Sequence, residues 1–245
     1  MALPAISAWR VETLRFTFFY SEHLDARDKN WWSSVADGAQ PETQINKPSQ
    51  GEYLEGGNYL DGQFELKVAF NRVDWILHYP LASLPDGPCF GTLEDIAEIL
   101  LKAIGSWVMF SSLKPVRVAF GAVLVHPVEN PVEGNRLFAE YIPFFNADVT
   151  AVRDLFLQVN YPKLSDVIEG LMINEVTKWG VLTGQYMELS GGIVPRPVTN
   201  YMFRSELDLS TSFERVEPFD VSQTNALLKS MLNVSLRTLT EGVRQ

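Results

Sequence analysis

The segment FELKVAFNRVDWILHY, Phe64–Tyr79, decides the fold class. Apolar residues occupy every second position on both sides of Asn71-Arg72, but their phase shifts there by one residue. Successive strand side chains point to opposite faces, so one straight strand would place the two sets on opposite sides. A two-residue turn at Asn71-Arg72 brings both sets to one face, and asparagine suits the positive φ of such turns. The segment therefore predicts a β-hairpin, with Phe70 opposite Val73, in a largely antiparallel sheet.

Other segments extend this pattern. Alternating apolar residues predict further strands at Trp9–Tyr20, Val116–Val125 and Asn200–Ser210. A period of 3.6 residues predicts two amphipathic helices, Thr92–Val108 and Val221–Gly242, each preceded by or beginning at a polar capping residue. The expected fold class is α+β, a mainly antiparallel sheet built from β-hairpins with at least two amphipathic helices packed on it.

The domain organisation follows from the same elements. A chain of 245 residues is long enough for one large domain or two small ones. Each half holds several predicted strands and one good helix, so we divide the chain into a first α+β half, residues 1–128, and a second, residues 129–245. A duplicated unit and one continuous domain both remain open, because no residue-level repeat is visible.

The composition restricts the classes of partner. Hydrophobic residues make up 46% of the chain, which is typical of a globular protein, and 30 acidic against 20 basic residues give a net charge of −10. This charge repels phosphate backbones, so we expect no direct binding of nucleic acid. It favours a basic protein partner, or serves solubility alone. No leader and no apolar run of about 20 residues is visible, which predicts a cytoplasmic protein without a membrane partner.

The sequence contains no catalytic or ligand-binding motif. The histidines lie in separate segments, and the predicted hairpin places one of them, His78, opposite Glu65, a cross-strand contact more typical of surface structure than of catalysis. The single cysteine has no base nearby, and the serine before a glycine pair lacks the flanks of a nucleophile elbow. We expect no metal, no cofactor and a chain that leans away from being an enzyme. The residues considered are His23, His78, His126, Cys89 and Ser190.

Two adjacent tryptophans lie in a long polar segment, residues 21–62, that shows no sustained period. Such a segment is functional, disordered, or contains an unrecognised element. In an extended chain Trp31 and Trp32 face opposite ways. Either one anchors the segment while the other contacts a partner, or both pack against the core. Trp31 and Trp32 are therefore the candidate partner-binding residues.

Three segments carry a resemblance when taken in order. They are WRVETLRF at Trp9–Phe16, RVDW at Arg72–Trp75 and PVRVAFG at Pro115–Gly121, closed by a helix such as Leu227–Gly242. This order resembles a sporadically distributed group of uncharacterised bacterial α+β proteins found among mobile or conflict-related genes. The resemblance implies a context of bacterial, including antiviral, defence, and it carries no catalytic residues.

The leading functional hypothesis is a non-catalytic protein-binding component of a bacterial defence or conflict system. It is either a subunit of a larger complex or an immunity protein whose acidic face covers a basic partner. The alternative is a small-molecule sensor or enzyme with a pocket between the sheet and the loops at Gly56-Gly57 and Gly191-Gly192. A nucleic-acid role ranks third.

Overall fold

One continuous antiparallel sheet organises residues 3–27, 29–79, 91–188 and 196–243, the part of the chain that the computed structural model describes. The strand order is β2-β3-β4-β5-β1-β6-β10-β9-β7, with β8 also paired to β9. The strands are β1 (Arg10–Phe19), β2 (Thr43–Lys47), β3 (Glu52–Tyr59), β4 (Gly62–Ala69), β5 (Arg72–His78), β6 (Arg117–Val128), β7 (Phe156–Asn160), β8 (Lys163–Leu164), β9 (Met172–Glu188) and β10 (Arg196–Thr211). The predicted α+β class is confirmed.

The described helices all pack on the same face of this sheet, which we call the helix face. They are α1 (Trp31–Val35), α2 (Leu93–Ser111), α3 (Pro131–Tyr141) and α4 (Val221–Glu241). Trp107 of α2 lies 5.3 Å, centroid to centroid, from both Phe18 of β1 and Trp75 of β5. Tyr141 of α3 stacks on Trp179 of β9 at 4.7 Å. Both predicted amphipathic helices are present, and no described helix is both long and apolar enough to cross a membrane.

The order of elements repeats along the chain. Strand β1, helix α1, strands β2 to β5 and helix α2 are followed by β6, α3, strands β7 to β10 and α4. In the sheet, β5 and β4 lie outside β1 just as β10 and β9 lie outside β6, and β1 pairs antiparallel with β6 at the centre. The repeat boundary lies at residues 112–116, between α2 and β6, whereas the sequence-based division is at 128/129.

The β4–β5 hairpin has a different turn from the predicted one. Its turn residues are Phe70 and Asn71, with Ala69 opposite Arg72, so the expected pairing of Phe70 with Val73 is wrong by two residues. A shift of two residues keeps each side chain on its face, so the remaining apolar residues still line the core. Phe70 instead leaves the core, with a φ of 52° and 59% of its surface exposed.

Contacts with β1 account for this turn. The side-chain amide of Asn71 donates to the carbonyl of Tyr20 at 2.7 Å, and the Tyr20 amide donates to the carbonyl of Asn71 at 2.8 Å. These bonds hold the turn against the end of β1, a long-range constraint invisible in the hairpin itself. The shifted register also places His78 opposite Gln63, so the predicted His78–Glu65 pairing is wrong.

The close approach of α3 to the sheet depends on a glycine. A β-carbon at Gly134 would lie 2.9 Å from both γ-carbons of Val181, closer than packed atoms tolerate. We predict that Gly134→Ala lowers the free energy of unfolding by about 1–3 kcal/mol through overpacking, although alanine in an open helix position would gain about 1 kcal/mol over glycine. In a Val181→Ala background the same change should become stabilising. Urea unfolding of the four variants measures the difference.

The control is Gly56→Ala in β3, because a β-carbon there meets no atom closer than 3.5 Å. An equal loss from Gly134→Ala in both backgrounds would show that the contact with Val181 is not the reason for the glycine.

Candidate functional site

A cleft of about 810 Å³ opens at one end of the helical layer, and we call it the end cleft. Three elements form it: the chain leaving β1, the short helix α1 and the last turn of α2, with one residue from the β10–α4 connection. The lining residues are those at positions 20–25, 29, 31, 34, 107, 110–114 and 218. These residues come from three distant stretches of sequence, 20–34, 107–114 and 218, which only the sheet brings together.

Trp32 anchors α1 to the sheet. It is 1% exposed, and its ring nitrogen donates to the carbonyl of Phe64 at 3.0 Å. Its backbone amide points to a carboxylate oxygen of Glu55 at 3.3 Å. Gly57 permits this packing, because a β-carbon there would lie 3.3 Å from the Trp32 ring. Residues 21–62 thus contain elements that the sequence pattern did not reveal, namely α1, β2 and β3.

Trp31 points elsewhere and lines the end cleft. Consecutive residues on a helix lie about 100° apart, so the two indole rings diverge. The Trp31 ring meets Trp107 edge-on at 5.5 Å between centroids and remains partly exposed. Trp32 therefore anchors the segment, while Trp31 packs against the core at Trp107 and also lines the open cleft. Partner binding by Trp31 and Trp32 stays a prediction.

Tyr20 lies in the lining of the cleft with an unused polar group. The residue is only 4% exposed, yet no described residue hydrogen-bonds its hydroxyl. Burial raises the pKa of the Tyr20 hydroxyl far above its ordinary value, so the group stays protonated and able to donate. Because Tyr20 lines the cleft, its hydroxyl can donate a hydrogen bond to an occupant.

The charges around the cleft are of both signs. Lys29 and Lys114 line it, and neither forms an ion pair within the described ranges. Asp25 is held by the guanidinium of Arg27, which lowers the pKa of that carboxyl well below its usual range. Glu22 supplies a further carboxylate. The cleft is therefore suited to a mixed polar and aromatic occupant rather than to a single ion.

Exposed aromatic side chains stand at its rim. Phe110, in the last turn of α2, is 72% exposed and belongs to the lining. The lining residue His23 contacts the exposed ring of Phe70 at 6.0 Å between centroids. Phe70 also holds a positive φ, a conformation that bulky residues adopt only when the surroundings enforce it. The rim offers the kind of aromatic anchor that dominates the energetics of interfaces.

The other residues singled out from the sequence are not brought together. Nδ1 of His126 donates to the carbonyl of Ala8 at 3.0 Å, and His78 lies on the opposite face of the sheet from the helices. No group of three or more histidine, cysteine, aspartate or glutamate side chains among the described residues is placed to hold a metal ion. Cys89, Ser190 and Gly191-Gly192 lie outside the described residues.

The predicted pocket between the sheet and the two glycine loops stays a prediction, because one of these loops, at Gly191-Gly192, lies outside the described residues. Gly56 and Gly57 belong to β3 and are absent from the cleft lining. Sequence reasoning missed Tyr20, Trp107 and Phe110, because each continues an ordinary apolar strand or helix pattern. Only the assembled end of the sheet distinguishes them from core residues.

The fold and the cleft define the chain as an α+β protein with a helix-covered sheet and an aromatic surface cleft. No protein-family model matches this chain, and no curated protein matches it. The resemblance noted from its three sequence segments therefore stays a prediction.

We predict unequal effects from the two tryptophans. Trp32→Ala should lower the free energy of unfolding by about 3–5 kcal/mol, the usual cost of removing a fully buried tryptophan. Trp31→Ala should cost clearly less, since its ring is partly solvated and no core atom loses a hydrogen bond. Chemical denaturation followed by circular dichroism tests this, and equal losses would contradict the division into anchor and cleft residue.

Proposed function

We propose that the chain is a non-catalytic protein-binding component of a bacterial defence or conflict system, and that its partner docks at the end cleft. The observation that carries this proposal is the orientation of Trp31, an aromatic ring fixed by its buried neighbour Trp32 and directed into an open cleft. A fixed aromatic anchor costs little conformational entropy on binding, which is why such residues dominate interface energetics.

The rim and lining extend this surface. Phe110 presents most of its ring to solvent, and the Tyr20 hydroxyl, for which the described residues supply no hydrogen-bond partner, can donate to an occupant. Lys29, Lys114 and Glu22 surround the opening with charge of both signs. A protein segment with an apolar side chain at its centre and polar groups around it would satisfy each of these features.

The charge of the whole chain supports a basic partner. The net charge is −10, and the first turns of α2 expose Glu94, Asp95 and Glu98 on the helix side of the molecule. Such a field acts on the rate of encounter, while the cleft supplies the short-range contacts. Long-range attraction followed by short-range contacts in the cleft would serve both versions of the role, a complex subunit and an immunity-type inhibitor of a basic toxin. The defence context itself rests on the resemblance of the three sequence segments.

The test begins with the partner that co-purifies stoichiometrically when the chain is expressed with its native gene neighbours. We predict that Trp31→Ala and Phe110→Ser each weaken this complex about tenfold or more, as expected for aromatic anchors at an interface. Calorimetry on the purified pair measures the dissociation constant. For an immunity-type inhibitor of a basic toxin, the association rate should also fall as salt is raised from low to physiological concentration.

The control variant is Ile99→Ser, which removes an exposed apolar side chain from the same helix, α2, without touching the cleft. Unchanged binding by Trp31→Ala and Phe110→Ser, with intact folding, would remove the end cleft from the interface. Failure to recover any protein partner would argue against the proposed function as a whole.

A second candidate function is a small-molecule sensor or enzyme that uses the same cleft. The volume of about 810 Å³ lies within the range of ligand pockets, and the Tyr20 hydroxyl would orient a ligand. A metabolite that binds only the folded state would raise its melting temperature. We expect such a rise to disappear in Tyr20→Phe if this candidate holds. A screen in which no metabolite shifts the wild-type melting temperature would remove it.

A further inference from the structure

The outer edge of β9 is open over half of its length. Strand β9 runs from Met172 to Glu188, but β7 covers its outer edge only as far as Gly180. Beyond that point, residues 181–188 pair with β10 alone within the described chain. A row of backbone amide and carbonyl groups therefore faces outwards, which is a ready site for another strand.

The same part of the sheet is only two strands wide. The last pair between β10 and β6 joins Tyr201 and Val128, so among the described strands residues 196–200 of β10 pair with β9. Residues 184–188 of β9 and 196–200 of β10 form a two-stranded arm that extends past the sheet. Isolated two-stranded ribbons are marginally stable in water, and a third strand is normally needed. An added strand would therefore stabilise the arm.

The open edge is uncharged. Residues 181–187 read VLTGQYM, without a charged side chain, in a chain of net charge −10. Soluble proteins commonly protect an exposed edge with lysine, proline or inward-pointing charge, and this segment has none of these. A basic partner would be recognised by carboxylates along the edge, which are absent. Two copies of this acidic chain repel each other wherever their negatively charged surfaces meet. An uncharged edge avoids this repulsion and therefore suits a second copy.

An apolar patch adjoins the edge on the face opposite the helices. Phe156 is 66% exposed, with its ring over Gly180, and Leu182 is 42% exposed. Met202 lies opposite Leu182 on the neighbouring strand. Contiguous exposed apolar side chains of this kind mark interaction sites.

We propose that the edge of β9 at residues 183–187 pairs antiparallel with the same edge of a second copy, forming a two-fold symmetric dimer. Centring the two-fold axis on Gln185 pairs residues 183–187 with the same residues of the second copy and places Thr183 opposite Met187. This register keeps Glu188 clear of Gly180, whose outer edge Phe156 already occupies. The two arms then become one four-stranded ribbon, and Leu182 and Phe156 lie beside the new strand. The contact is isologous, so it closes with two chains and does not extend into a fibre.

The test uses the exposed side chains of Thr183 and Met187. The variants Thr183→Lys/Met187→Lys and Thr183→Glu/Met187→Glu place like charges opposite each other in the dimer, which weakens cross-strand pairing. Sedimentation equilibrium should show the wild-type chain at twice its 27.6 kDa mass and each variant shifted towards the monomer, with a dissociation constant raised about tenfold or more. An equimolar mixture of the two variants should restore dimers, detected by native mass spectrometry as a mixed species.

The control is Thr43→Lys/Asn46→Lys, which adds two lysines to β2, the edge strand at the other end of the sheet. It should leave the dimer unchanged, and all variants should keep the wild-type melting temperature of the monomeric state. A wild-type chain that stays monomeric at millimolar concentration would overturn the proposal, as would a dimer insensitive to the charged pairs. If the wild-type chain is monomeric and its lysine variant no longer binds a different protein, that protein and not a second copy binds the edge. Trp31→Ala should not affect dimerisation, so this result is separable from the role of the end cleft.

Discussion

The pairing of β1 with β6 is the constraint on which the remaining structure depends. Phe16 lies opposite Phe120 in this register, and their rings meet at 5.2 Å between centroids. Because side chains alternate between faces, a slip by one residue would send the apolar row of one half to the wrong side of the sheet. With the register as it is, both halves present their apolar rows to the helix face. The long helices α2 and α4 can then contact each other across the central strands.

The end cleft is a consequence of how this central pair terminates. Where β1 ends, Tyr20 continues onto the helix face while the amide of Val116 binds the carbonyl of Phe19 at the start of β6. Trp31 of α1 packs against Trp107 near the end of α2, and the cleft opens beside this contact. The cleft thus arises between elements that are each fixed by the sheet, and preorganised surfaces of this kind bind without the cost of ordering themselves.

The sequence determined the class of fold but not the details that create the site. The alternation in Phe64–Tyr79 was sufficient for an antiparallel hairpin, since one buried face leaves little freedom. It did not identify the turn residues. The turn forms at Phe70-Asn71 and not at Asn71-Arg72 because Asn71 is hydrogen-bonded to Tyr20, 51 residues away. Likewise, the different fates of Trp31 and Trp32 follow from α1, a five-residue helix too short to show a period. Features that depend on long-range contacts leave no trace in local patterns.

The two faces of the sheet differ in how their charged side chains are paired, and this difference decides which face can attract a charged partner. On the face opposite the helices, Arg15 pairs with Asp208, and Lys178 pairs with Glu206. Arg204 bridges Glu12 and Glu206, and these ion pairs hold the pKa of Glu206 below its ordinary value. Exposed pairs of this kind add little stability.

Their larger effect is to cancel the local field, because each carboxylate in these pairs has a cation beside it. The unbalanced acidic residues must then lie elsewhere, and Glu94, Asp95 and Glu98 are exposed on α2, on the helix side. The field that would steer a basic protein therefore originates on the side that carries the end cleft. The face opposite the helices has its charges paired, and the adjoining edge of β9 is uncharged. Both therefore suit a contact with a second copy of the same chain, where like charges would repel each other.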